Sequence, residues 1–435
     1  MFVRKTLAFV LFLALAIAGS AQKTKVKTKI KHKRVTAAAS APQVATAEGT
    51  ITPAADRPGE YLPQLRGKKV ALLVNHTSTA QGTHLADFLK KSGINLTVIF
   101  GPEHGFRGNA PDGAKIESNI DAATGVPVIS LYGKKLKPSP DDLKGVDVMV
   151  YDIQDVGARF YTYISSLQYY LEAALENGIP LMILDRPNPN GSYVDGPVLD
   201  PKFKTFVGLQ PIPIVYGMTP GEYAQMLLQE GWLSEEANRA FEVTKRARYA
   251  PGARYFRLEV IPCASYTHKS RYSLPVRPSP NLPDDISIEW YTSTCLFEGT
   301  ALTEGRGTAR PFATIGAPLL PKTMFAFTPA PTQGAPKPRY NGQTCYGWDL
   351  SKESNKRWPL ALKQMQISYL LEAYRLYPQK DSFFRGTFNR LAGNDILAQQ
   401  IRDGKSEAEI RASWEPALSN FKAIRKKYLI YDDFE

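Results

Sequence analysis

An acid and an imidazole stand side by side in Gly101-Pro-Glu-His-Gly105, directly after an apolar run over residues 96–100. The run reads as a buried strand and Gly101-Pro102 as its end, so Glu103 and His104 would sit where a strand hands over to a loop. In an open α/β sheet, ligands bind beyond the carboxyl ends of the strands, so proton transfer by this pair is the first chemistry to consider. Further candidates recur in the same kind of place. Asn75-His76 follows an apolar run at 69–74, Tyr132 one at 127–131, Asp152-Ile-Gln154-Asp155 one at 146–151, and Asp185-Arg186-Pro-Asn188 one at 179–184. Five such clusters in succession imply one shared cleft.

The stretch from Tyr151 to Tyr163 adds Gln154, Arg159 and Tyr161 to those acids. Aromatic faces, amides and carboxylates together suit a sugar, whose C–H faces stack while its hydroxyls take hydrogen bonds. Asp155 and Arg159 equally fit an i,i+4 pair on a first helical turn. Farther on, Glu304-Gly-Arg-Gly-Thr308 sets Glu304 and Arg306 among glycines, which allow close backbone approach to a ligand and equally suit a hairpin turn.

Elements able to position these residues are readable. Helical spacing predicts helices over 83–91, 163–176 and 220–229, alternating with the strands above. That alternation implies an α/β fold: a doubly wound, mostly parallel sheet with helices on both faces. Beyond residue 262 prolines punctuate a loop, 293–299 reads as a strand, 318–338 is again proline-rich, and amphipathic helices over 361–374 and 407–427 close the chain. There is no internal repeat.

With 435 residues the chain exceeds one typical core, and two domains behind a leader are expected. Arg4 and Lys5 precede an apolar run over 7–18 and the small residues Gly19-Ser20-Ala21. Residues 1–21 therefore read as a signal peptide and the protein as exported, periplasmic or secreted. Residues 22–49 read as a basic, Ala/Thr-rich disordered tether able to touch cell wall or anionic surfaces weakly. Of the net charge of +13, nine positive charges lie in the leader and the run 23–34, leaving +4 for the remainder. A nucleic-acid partner is therefore not expected, nor is a membrane span. Cys263, Cys295 and Cys345 allow at most one disulfide.

Several chemistries lack their motifs. No Gly-x-Gly-x-x-Gly follows the first strand, Gln399 stands where a P-loop before Gly404-Lys405-Ser406 needs glycine, and no Gly-x-Ser-x-Gly elbow occurs. The five histidines show no paired metal-ligand spacing, so neither metal nor cofactor is expected.

Gly101-Pro-Glu-His-Gly-Phe-Arg-Gly108, Tyr151-Asp-Ile-Gln-Asp-Val-Gly-Ala-Arg159, Asp185-Arg-Pro-Asn-Pro-Asn-Gly191 and Glu304-Gly-Arg-Gly-Thr308, with Pro278-Ser-Pro-Asn281 and Lys427-Tyr-Leu-Ile-Tyr431, carry a family resemblance. The chain resembles the exo-β-N-acetylmuramidases of the NamZ type from about residue 62 to 431. The resemblance implies a Rossmann-like catalytic domain at 50–275 and a smaller α+β domain at 276–435 that completes the cleft. It implies release of N-acetylmuramic acid from the non-reducing end of peptidoglycan fragments, with Glu103 and His104 as the catalytic centre. Glycoside cleavage needs an acid and a second group; Glu103 would be the acid, with Asp152, Asp155 or Asp185, or the substrate's own N-acetyl group, as the second. Arg159, Arg186 or Arg306 would meet the lactyl carboxylate. Asn75, His76, Tyr132, Gln154, Tyr161, Asn188 and Glu304 complete the expected sugar-binding set. The alternative is a non-catalytic protein that binds peptidoglycan or the cell wall.

Overall fold

The structure, a computed structural model, describes residues 49–103, 105–108, 119–247, 255–353 and 358–435. The expected leader, nearly all of the tether, and His104 lie outside the described residues. From residue 49 on, the described chain forms one compact unit.

Helix α1 (Pro58–Leu65) leads into β1 (Lys69–Val74), a short hairpin of β2 (Thr79–Ala80) and β3 (Thr83–His84), α2 (Leu85–Lys91) and β4 (Asn95–Gly101). Then come β5 (Asn119–Ile120), β6 (Pro127–Ser130), β7 (Val148–Asp152), α3 (Tyr163–Glu176), β8 (Leu181–Leu184), α4 (Pro220–Gln229), α5 (Glu235–Ala247) and β9 (Leu258–Ile261). Seven strands form the main sheet in the order β5-β6-β4-β1-β7-β8-β9; all pairings are parallel except β5 with β6.

Side-chain alternation explains the two helical layers. In β1, Val70, Leu72 and Val74 face a core shared with Tyr61 and Leu65 of α1 and Leu85 and Leu89 of α2. Ala71 and Leu73 face the opposite core, with Leu167 and Leu171 of α3 and Leu227 of α4. A central parallel strand is covered on both sides, which is why its sequence is an unbroken apolar run from Val70 to Val74.

The second core continues into the C-terminal part, where Trp290, Phe297, Ile315 and Phe388 join it. This part comprises α6 (Asp285–Thr294), an antiparallel sheet of β10 (Thr314–Ala317), β11 (Phe325–Phe327) and β12 (Cys345–Asp349), and helices α7 (Pro359–Leu362), α8 (Ser368–Leu376), α9 (Phe388–Ala392), α10 (Ile396–Arg402) and α11 (Glu407–Arg425). Residues 293–299, expected as a strand, are the end of α6 and a 3₁₀ turn, Cys295–Gly299. Asp284 caps that helix by accepting from the Ser287 amide at 2.8 Å, and the short apolar run rides on as its last turns. The helix expected over 361–374 is broken into α7 and α8, with Lys363 at φ 52 between them. No described helix is long and apolar enough to cross a membrane, and all three cysteines are free thiols.

Candidate active site

The loop after β4 is built to hold Glu103 still. Gly101 passes so close to Phe106 that a Cβ there would lie 2.9 Å from its amide nitrogen. Gly108, at φ +71, leaves no room for a side chain against the His76 ring. Between them Arg107 grips two carboxylates, Asp121 through Nε and Nη2 at 2.8 Å each and Asp87 at 3.0 and 3.1 Å. That guanidinium holds the Asp121 carboxyl down to about 2. The loop is therefore pinned to α2 and to the turn between β5 and β6, and Glu103 inherits the rigidity.

Tyr132, just past β6, donates its hydroxyl to Glu103 Oε1 at 2.7 Å, and Thr162 faces Oε2 at 3.4 Å. Glu103 lines a cavity of about 190 Å³ whose other walls come from the loop before α3, from α6 and from the C-terminal part. Aromatic rings dominate it: Tyr161 packs edge-on against Tyr163 and Tyr291, and Phe160 and Phe312 against Tyr291. Tyr161 is fixed by donating to the Pro278 carbonyl at 2.7 Å. Asn281, on the same wall, donates its amide to the Gly334 carbonyl at 2.8 Å.

One other carboxylate among the described residues lines this cavity, Glu298. Arg306 bonds it at 2.9 Å and reaches Glu304 with Nε at 3.0 Å, while its guanidinium lies 5.2 Å from the Phe312 ring centre. Glu298 falls in the segment expected as a strand, so its place beside Glu103 was not legible; only as the last turn after α6 does it reach the cavity.

The remaining strand-end residues are brought together elsewhere. Asp152 and Arg186 form a bidentate pair at 2.5 and 2.8 Å with 0% and 1% side-chain exposure, and Arg186 also donates to the Thr79 carbonyl at 3.0 Å. Asp155 accepts from the Gly157 amide at 2.6 Å and from Tyr216. Asp185 accepts from Thr219 and Tyr431 at 2.7 Å and from the Gly221 amide at 2.9 Å, tying β8 to the start of α4 and to the chain's last residues. Arg159 makes no pair with Asp155: it donates to four carbonyls, of Pro197, Ile212, Leu391 and Ala392, at 2.8 to 2.9 Å, clamping α9 to the loops of the sheet domain. Burial without a carboxylate partner lowers its pKa to about 9.

Gln154 donates to the Asp155 and Pro187 carbonyls at 2.8 and 2.7 Å, Asn188 to that of Met218 at 2.9 Å, and Asn75 accepts from Thr77. His76 bonds the Arg277 carbonyl at 2.8 Å on a neighbouring groove that shares Ser279 with the cavity. The shared cleft inferred from five strand ends is therefore formed mainly by one of them, the Glu103 loop, which Tyr132 from a second braces, and by Tyr161, Glu298 and Arg306. The other polar ends satisfy buried backbone groups and one another. Among the described residues no group of three or more His, Cys, Asp or Glu is placed to hold a metal ion.

Asp155 offers a pH test. Burial pushes its carboxyl up from 3.8 to about 6, more than the bonds from Tyr216 and two amides can offset. The fold thus prefers the protonated form, so this stabilising contribution is complete below about pH 4, drains away as pH rises to about 6, and is flat above. Asp155→Asn should abolish that segment of the profile: between pH 4 and 6.5, wild type should lose up to about 3 kcal/mol relative to the variant in denaturant titrations. Parallel profiles would show that the buried carboxyl does not titrate there.

The N-terminal family model of exo-beta-N-acetylmuramidase NamZ matches residues 70–286 and the C-terminal model matches residues 289–431. The peptidoglycan beta-N-acetylmuramidase NamZ of Bacillus subtilis is 39% identical over 412 residues, covering 90% of this chain and 92% of its own. A crystal structure of a DUF1343 family protein from Bacteroides fragilis is similar at TM-score 0.78 and 42% identity, covering 88% of this chain and all of that one. A second from the same organism is similar at TM-score 0.69 and 27% identity, covering 88% of this chain and 99% of that one.

Proposed function

Because the chain belongs to the NamZ family of exo-beta-N-acetylmuramidases and is a glycosidase of that family, we propose that it releases N-acetylmuramic acid from the non-reducing ends of peptidoglycan fragments. The observation that carries the reading is the Glu103 carboxyl, oriented by Tyr132, on the wall of an aromatic cavity that also holds Glu298. Rings supply faces for the C–H surface of a pyranose, and Asn281 and Thr162 supply polar edges.

Glu103 delivers a proton to the glycosidic oxygen as the bond to the anomeric carbon breaks, so the remainder of the chain leaves as an alcohol. The positive charge growing on the sugar ring is met by the Glu298 carboxylate, which Arg306 keeps aligned, or by the sugar's own acetamido oxygen. Water then adds to the anomeric carbon, and its proton returns to Glu103. His104 stays in this proposal as the neighbour that orients the acid. The leader supports export to the periplasm or beyond, and the lysine-rich run 23–34 supports weak contact with anionic wall polymers.

Incubation with a disaccharide ending in N-acetylmuramic acid should yield the free sugar, detected by mass spectrometry. If no sugar appears at any pH while the protein still sediments with cell walls, and loses that property on deletion of residues 22–49, the non-catalytic wall-binding alternative replaces the hydrolase.

A further inference from the structure

Muramic acid differs from glucosamine in a lactyl ether that ends in a carboxylate; in peptidoglycan this carboxylate is either free or amide-linked to a stem peptide with carboxylates of its own. A site that selects such a sugar needs positive charge, and the arginines nearest in sequence to the catalytic motifs do not supply it. Arg159 and Arg186 are fully buried: both Nη atoms of Arg159 donate to carbonyls, with only its buried Nε unpaired among the described residues, and Arg186 is paired with Asp152. Arg306 lies between Glu298 and Glu304, a trio whose formal charge is negative. An incoming carboxylate would have to displace one of these partners.

A second groove of about 860 Å³ opens from the cavity, sharing Val207, Glu298, Arg306 and Leu391 with it. Its size is that of a ligand site, where the cavity alone is small for one. Lys337 and Arg390 are exposed on this groove, and neither side chain has a hydrogen bond or ion pair among the described residues. Arg339 lies on it too, with its donors on the carbonyls of Thr300, Leu302 and Glu298 and no carboxylate in contact among the described residues, and burial lowers its pKa. Four cations therefore face two acids on this wall, and the excess positive charge begins where the cavity ends. Continuity with the cavity distinguishes these two side chains from ordinary solvated surface charges.

Resting on the muramidase reading, we propose that this groove receives the carboxylate carried on the sugar's lactyl arm, with Lys337 and Arg390 as the cations that bind it. The arm extends from the ring held beside Glu103, past the Arg306 trio, into the groove. An exposed ion pair contributes little alone, while two cations converging on one carboxylate in a partly enclosed groove should together be worth about tenfold in affinity.

Calorimetry on the full-length protein tests this with three probes: N-acetylmuramic acid, its uncharged lactyl methylamide, and the acid carrying an L-alanyl-D-glutamate stem. Wild type should bind the acid about tenfold more tightly than the methylamide, and a Lys337→Ala/Arg390→Ala double variant should lose that preference. If only the preference for the stem-bearing sugar vanishes, the stem carboxylates are the ligand and the groove assignment holds in that form. Equal binding of all three probes by wild type, or an undiminished preference in the double variant, overturns it. Both side chains are exposed, so the variant should match wild type in thermal melting. Sugar release is measured separately: a protein that shows the charge preference and releases nothing loses its catalytic reading and keeps its groove.

Discussion

Replacing Glu103 with glutamine is expected to cut release of N-acetylmuramic acid by a hundredfold or more while leaving the melting temperature in place. Glutamine has the same shape and retains an oxygen to accept the Tyr132 hydroxyl, so the loop that Arg107 pins has no reason to move. What it lacks is the proton. A positioned acid contributes roughly 10² to 10⁴ to such a reaction, and that factor should be lost from kcat with KM nearly unchanged. Tyr132→Phe separates holding the acid from being the acid. It removes one donor to Oε1 and should lower kcat by a smaller factor, because the carboxyl loses the bond that holds it in place. Full activity in Glu103→Gln would remove this residue from the chemistry and move the search to Glu298.

The sheet was readable because burial on both faces leaves a plain trace: the runs at 70–74, 98–100 and 181–184 are apolar without interruption. Helices α3 and α4 were readable because their periodicity and the Pro220 start are local features. Strand β9, with partly buried Leu258, Glu259 and Val260, has no such trace and takes its place at the sheet edge through pairing with β8. The family resemblance was carried by motifs, and the same motifs hide a distinction that no spacing reveals. A polar residue at the end of a parallel strand either faces a ligand or satisfies the backbone groups that the sheet leaves open. Glu103 and Asp155 look alike as letters. Only the fold shows that the first opens on a cavity and the second accepts bonds from Gly157 and Tyr216 inside the protein. Glu298, Lys337 and Arg390 were out of reach for a related reason, since all three depend on how the C-terminal part folds back over the sheet.

Arg186→Met should be the most destabilising single change among the polar residues discussed. It leaves the Asp152 carboxylate with no countercharge at a site that water does not reach. Burial alone would lower the pKa of Arg186, and the facing carboxylate outweighs it, so the native pair stays charged on the arginine side. Breaking such a pair from one end costs about 3–5 kcal/mol, set against a total stability of roughly 5–15 kcal/mol for a domain. The expected result in urea titrations is a midpoint far below wild type, or an insoluble protein. The double variant Asp152→Asn/Arg186→Met carries no orphaned charge and should recover much of the loss, because replacing both partners of a buried pair is often close to neutral. Its activity then decides the role of the pair. If Asp152 serves only the fold, the refolded double variant should release sugar at nearly the wild-type rate per folded molecule. A stable double variant that has lost turnover would instead return Asp152 to the reaction, and a single variant within about 1 kcal/mol of wild type would show that water reaches the pair after all.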